Sequence, residues 1–261
     1  MKRRSIARFV CAATAFAGGP AFAGAIQSLP EAAKEAGDKL DFAAYDALLK
    51  KYVDGKGRVD YAKLRGQAQD RRQLERLYAQ VAAQKLDVLP SKVARLAFLI
   101  DAYNIVVWKN VLDHSPKQVD EGLYKFFRRD YVVAGREIDL DGLEKKWIRK
   151  DFKDGRVHFA LNCASGGCPA LPNEAFTPEK VEAQLEREAK KFCNEARNVT
   201  YDATKKTAKL SMIFKWYSDD FGGKALEFVN QRRAADQKIP ADAKVDHVDY
   251  DWHLNDPSLA R

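Results

Sequence analysis

Apolar residues recur along much of this chain at helical spacing. In DFAAYDALLKKYV (41–53) they fall at 42, 45, 48, 49 and 52, and over 67–86 Leu74, Leu77, Tyr78 and Val81 share one face, so both segments predict amphipathic helices. Between them, DGKGRVDYAKL (54–64) reads as a turn into a short extended piece, Arg58–Tyr61. A calcium loop opens in the same way, but Lys56 and Arg58 stand where that loop needs oxygen ligands. LPSKVARLAFLIDAYNIVVWKNVLDHSP (89–116) is apolar almost all round from Val93 to Leu112, the pattern of a helix buried at the centre of a fold. Ser91 caps its start and Pro116 helps stop it. Asp101, Tyr103 and Asn104 interrupt the apolar run. A buried polar group without a partner costs about 1–3 kcal/mol, so these three predict a polar network, either structural or lining a site.

Further on, KFFRRDYVVAGREIDL (125–140) predicts extended chain turning near Gly135, and DLDGLEKKWIRKDF (139–152) a capped helix with a basic end. RVHFALN (156–162) predicts an apolar strand. Thr177 as cap and Pro178 in the first turn predict another helix. NVTYD (198–202) and TAKLS (207–211) predict a hairpin. The aromatic set Trp216, Tyr217, Phe221, Tyr250 and Trp252 reads as packing between that hairpin and the last segment. The expected fold is α+β: a helix-rich single domain over 41–261 with a buried central helix and a small, mainly antiparallel sheet. No repeat, long linker or Gly-rich phosphate loop is present, and no cofactor is implied.

The first residues change the picture of charge and compartment. Lys2, Arg3, Arg4 and Arg8 lead into a small-residue apolar run ending in Ala21-Phe22-Ala23, the pattern of an export signal over 1–23, followed by a loose segment over 24–40. Cleavage after Ala23 of the 261-residue chain leaves 238 residues and lowers the formal charge from +8 to +4, since four basic and no acidic residues go. The remainder has no basic cluster interleaved with aromatics, which argues against nucleic acid, and no apolar stretch long enough to span a membrane. The expected location is periplasmic or secreted, where disulfides persist. Cys163, Cys168 and Cys193 remain, an odd number.

VDYAKL (59–64), AFLIDAYN (97–104), IDLDGLE with Arg149, RVHFALNCASGGCPAL (156–171), LSMIFKWYSDDFG (210–222) and YDWHLN (250–255) occur in an order that resembles the domain-of-unknown-function 547 family. The resemblance runs from about residue 42 to 255. It implies no settled activity. It directs attention to Arg156, His158, Asn162, Cys163, Ser165, Cys168 and Pro169, and to Tyr217 and Asp220. The chain departs from the family at Asp101, where Asn is usual.

Three chemistries fit the stretch around Cys163. In the first, Cys163 is a nucleophile, His158 its base, with His247 and His253 as alternative bases, and Asp220 the orienting acid, giving thiol-mediated acyl transfer. An odd separation puts residues 158 and 163 on opposite faces of a strand, so contact requires the chain to turn after Asn162. In the second, Cys163 and Cys168 form a disulfide around Gly166-Gly167, and Arg156, Asn162 and Ser165, with Asn104 and Tyr217 nearby, shape a non-catalytic binding or scaffold cleft for a peptide, protein or small molecule. In the third, His158, Cys163 and Cys168 ligate a metal, although their spacing fits no zinc pattern; the expectation is no metal.

Overall fold

The computed structural model describes residues 37, 39–119 and 123–259. The expected export signal, and nearly all of the loose segment after it, lie outside the described residues. Helix α1, Phe42–Tyr52, starts where the Asp41 carboxylate accepts from the Ala44 N–H. Val53 then bridges Val59 across the Asp54–Gly57 turn, and Asp60 caps α2, Tyr61–Gly66. The extended piece is therefore shorter than expected, because Tyr61 already belongs to the helix. α3, Ala68–Ala83, buries Leu74, Leu77, Tyr78 and Val81 as its apolar spacing predicts.

α4, Lys92–His114, is the axis of the larger core. Ser91 caps it through the Ala94 N–H, and sixteen of its residues are buried, Asp101, Tyr103 and Asn104 among them. After α5, Leu123–Phe127, comes the expected hairpin of β1, Asp130–Val133, and β2, Arg136–Asp139. Asp139 caps the next helical run by accepting from the Gly142 N–H. The run is α6, Leu140–Gly142, then a π-helical stretch, Leu143–Arg149, then α7, Lys150–Phe152.

The expected strand at RVHFALN is not one. Gly155–Phe159 is a 3-10 helix, started by the Asp154 carboxylate on the Arg156 N–H. The expected Thr177 cap is also corrected. α8, Val181–Asn194, begins later, and it is the Gln184 side chain that accepts from the Thr177 N–H.

A second sheet holds β3, Val199–Asp202, and β4, Thr207–Leu210, as the expected antiparallel hairpin, with β5, Lys244–His247, parallel to β4. Between β4 and β5 lie α9, Met212–Trp216, a 3-10 turn at Ser218–Phe221, and α10, Ala225–Asn230. A second core of Phe159, Phe192, Phe214 and Phe221 packs under this sheet. The helix-rich α+β expectation holds. The sheet is two separate sheets, and one of them contains a parallel pair.

Candidate functional site

The Cys163 loop is held from below by two asparagines. Asn104 on α4 donates to the Ala160 carbonyl at 3.0 Å and accepts from the Asn162 N–H at 2.9 Å. Asn162 in turn donates to the Pro169 carbonyl at 2.8 Å and accepts from the Ala164 N–H at 3.0 Å and from Asn255 at 3.1 Å. These bonds close the loop on itself and place Ala164 in the left-handed region, φ 65°. Asn104 and Asn162 are thus buried anchors of the loop rather than exposed binding groups.

The closing segment lies along the loop's other side. Gly166 and Gly167 donate to the carbonyls of His253 and Asp251 at 2.7 and 2.8 Å, and Asn255 donates to the Ala164 carbonyl at 2.8 Å. A Cβ at Gly167 would stand 2.9 Å from both the Asp251 nitrogen and the Tyr250 ring, so glycine is required there for this close approach. This pairing carries Tyr250 to Cys163.

Around the sulfur, Ser165 Oγ lies at 3.1 Å and the Tyr250 hydroxyl at 3.4 Å, and Ser165 also donates to Tyr250 at 2.9 Å. The expected Cys163–Cys168 bridge is not formed. Both are free thiols, as is Cys193, and the Cys163 N–H donates to the Cys168 sulfur at 2.9 Å. Burial alone would raise the Cys163 thiol, but hydrogen bonds with Cys168, Ser165 and Tyr250 outweigh it and lower the thiol to about 7. Cys168 moves up instead, through burial and the neighbouring Cys163. Cys193 is buried in the second core, and burial pushes it up to about 12.

His158 does not contact Cys163. The 3-10 turn aims its Nε2 at Asp220 Oδ2, 2.7 Å away, and sets Nδ1 3.9 Å from Glu144 Oε1. The ring stacks on Tyr217 at 3.8 Å between centroids. Arg149, at the end of the π-helical stretch, donates to the same Asp220 oxygen at 2.5 Å and lies over the opposite partner of the stack, with 4.8 Å from its Cζ to the Tyr217 ring. The His158 hydrogen bond, followed by that of Arg149, holds the Asp220 carboxyl well below the usual carboxylate range. Burial raises Glu144, partly offset by His158, Tyr217 and Arg149.

These groups meet at a cavity of about 350 Å³. Cys163, Cys168, His158, Asp141, Glu144, Tyr103 and Tyr217 supply polar groups to its lining, and Trp216, Tyr250, Trp252, Phe127 and Leu161 much of its apolar wall. Ser165 lies behind Cys163, on a neighbouring cavity. Arg156 lines neither cavity and is held by Asp154 and Glu182. Among the described residues, no three His, Cys, Asp or Glu side chains gather as metal ligands, and no helix is long and apolar enough to cross a membrane.

Residues 88–193 match the sequence model of DUF547, a protein family of unknown function. Over that segment the chain is similar to DUF547. No curated protein and no solved structure matches the chain. The matched DUF547 segment contains α4, Glu144, Arg149, His158 and the whole cysteine loop, while Asp220 and Tyr250 lie beyond it.

Glu144 is a buried cavity carboxylate that the candidate residues read from the sequence do not include. Its signal was present: Leu140, Glu144 and Ile148 follow one another at four-residue intervals, so a carboxylate sits on the buried face of its helix. The aromatic set, expected to be core packing, divides. Phe221 belongs to the second core, whereas Trp216, Tyr217, Tyr250 and Trp252 line the cavity.

Proposed function

We propose that this protein is a thiol-dependent acyl-transfer enzyme of hydrolase type with Cys163 as its nucleophile. The observation that supports it best is the placement of the Cys163 sulfur, hydrogen-bonded by Ser165 and Tyr250, on the same cavity as His158, whose ring Asp220 holds. The thiol draws its activation from its hydrogen bonds with Cys168, Ser165 and Tyr250. His158 is left to exchange protons with the substrate. With Nε2 held by Asp220, Nδ1 is the nitrogen that gains or loses the proton. The Cys163 thiolate attacks an acyl carbon and forms a C–S bond. The leaving group departs with a proton from His158, and water, deprotonated by His158, then hydrolyses the thioester, releasing the acid and restoring the Cys163 thiolate and the protonated His158. An activated aryl ester tests this. A stoichiometric burst of released phenol and an acyl adduct on Cys163 are expected, and turnover that survives Cys163→Ser would sink the reading.

A second reading rests on the nearness of the two cysteines. In an oxidising compartment the pair would close to a disulfide, and the domain would be a binding or scaffold module. Intact mass with and without reduction separates the two, because a bridged thiol cannot be alkylated. Export itself is part of the proposal, giving a periplasmic or secreted protein that begins at Gly24. N-terminal sequencing of the protein recovered from its native host reads this directly.

A further inference from the structure

The cavity carries a charge pattern at odds with the rest of the molecule. The chain has 45 Lys and Arg against 37 Asp and Glu, yet no Lys or Arg among the described residues lines the cavity, and two carboxyl groups do. Asp141 is already neutralised by Arg128 and Lys145. Glu144 has no Lys or Arg ion-pair partner among the described residues. Its side chain is 10% exposed, its Oε1 has no hydrogen-bond partner among the described residues, and His158 Nδ1 stands 3.9 Å from that oxygen. A buried carboxyl oxygen left unpaired is costly, and a ligand that brings a positive charge to it offsets that cost.

A second feature points the same way. Trp216, Tyr250 and Trp252 form a continuous wall with ring centroids 4.8, 4.5 and 5.7 Å apart, and the rings are tilted rather than stacked flat. Trp216 is 44% exposed, which packing does not explain. All three line the cavity, and aromatic ring faces attract alkylammonium groups.

We propose that the ligand of this cavity is an organic cation, with an alkylammonium group seated against Glu144 and the Trp216–Tyr250–Trp252 wall. A cavity of about 350 Å³ takes a group the size of a lysine side chain or a choline head. The inference rests on the acyl-transfer reading for what happens at Cys163, and it then makes the substrate an ester, amide or thioester that carries a cationic group. The binding step itself needs no thiol.

The test uses the full chain with Cys163→Ser, so that no chemistry intervenes, and reads tryptophan fluorescence. The probes are choline and its uncharged carbon analogue 3,3-dimethylbutan-1-ol. Choline should half-saturate at a concentration about tenfold lower than the alcohol. Glu144→Gln should erase most of that preference, and Trp216→Ala, at an exposed position, should weaken choline about fivefold. Equal binding of the two probes overturns the proposal, as does a preference that survives both Glu144→Gln and Trp216→Ala. If Glu144→Gln fails to fold, judged by circular dichroism, Trp216→Ala decides alone. An ester burst at Cys163 with no cation preference would leave the acyl-transfer reading standing. Cation preference with an inert Cys163 would do the reverse.

Discussion

Ser165 and Tyr250 each set a hydroxyl on the Cys163 sulfur, and removing either should return the thiol toward the ordinary value of about 8.5. Ser165→Ala and Tyr250→Phe are each expected to slow iodoacetamide alkylation of Cys163 several-fold at pH 7, with the midpoint of the rate profile moving up from about 7. Peptide mapping should find Cys193 unreactive in the folded protein. Asp101 supplies a second test. Its Oδ1 accepts from the Phe176 N–H, its Oδ2 has no partner among the described residues, and burial raises its pKa well above the usual value. A raised carboxyl binds its proton more tightly in the folded chain than in the unfolded one. Its contribution is therefore fully present below pH ~4 and is lost as pH rises, at up to about 1.4 kcal/mol per pH unit. Asp101→Asn keeps the acceptor for Phe176 and should raise the Tm increasingly as melting curves are taken from pH 5 to pH 8. At this scale the sequence revealed which residue types were out of place, Asp101 and Asn104 in an apolar helix above all. It did not reveal partners such as Tyr250, which lies 87 positions from Cys163.

The helices were legible because their apolar periodicity coincides with their caps, Asp41, Asp60, Ser91 and Asp139. RVHFALN was misread for a definite reason. Val157, Phe159 and Leu161 alternate with Arg156, His158 and Ala160, which is the period of a strand. That segment is instead wound up between two neighbours. Gly155 presses against the 220–221 turn, where a Cβ would come within 2.8 Å of the Asp220 carbonyl oxygen. Gly155→Ala should push the His158 turn away from Asp220 and lower kcat on an aryl ester at least tenfold while leaving Cys163 alkylation nearly unchanged. The Asp139 cap positions the helix that carries Glu144 and Arg149. Asp139→Ala should cost about 1 kcal/mol in denaturant melts.

The whole molecule explains why the site was only half legible. Its cavity is assembled from α4, the π-helical stretch, the 3-10 turn, the cysteine loop, α9 and the closing segment, and these meet where the two cores adjoin. Local pattern identifies each piece and says nothing of their convergence. The closing segment is the part most distant in sequence. It accepts from Gly166 and Gly167, bridges Gln118 through His253, and accepts from the Val59 N–H through the Asn255 carbonyl. Gly167→Ala, which would wedge that segment off the loop, should therefore act on Cys163 much as Tyr250→Phe does, slowing its alkylation at pH 7.

The reach of that segment gives the chain a timetable. A polypeptide is made from its N-terminus, and 87 residues separate Cys163 from Tyr250, an interval on the order of 10 s at ordinary rates of synthesis. Throughout that interval the cysteine loop exists without its tyrosine, and one of the two hydroxyls on its sulfur is missing. The complete site arrives only when almost the entire protein has been made.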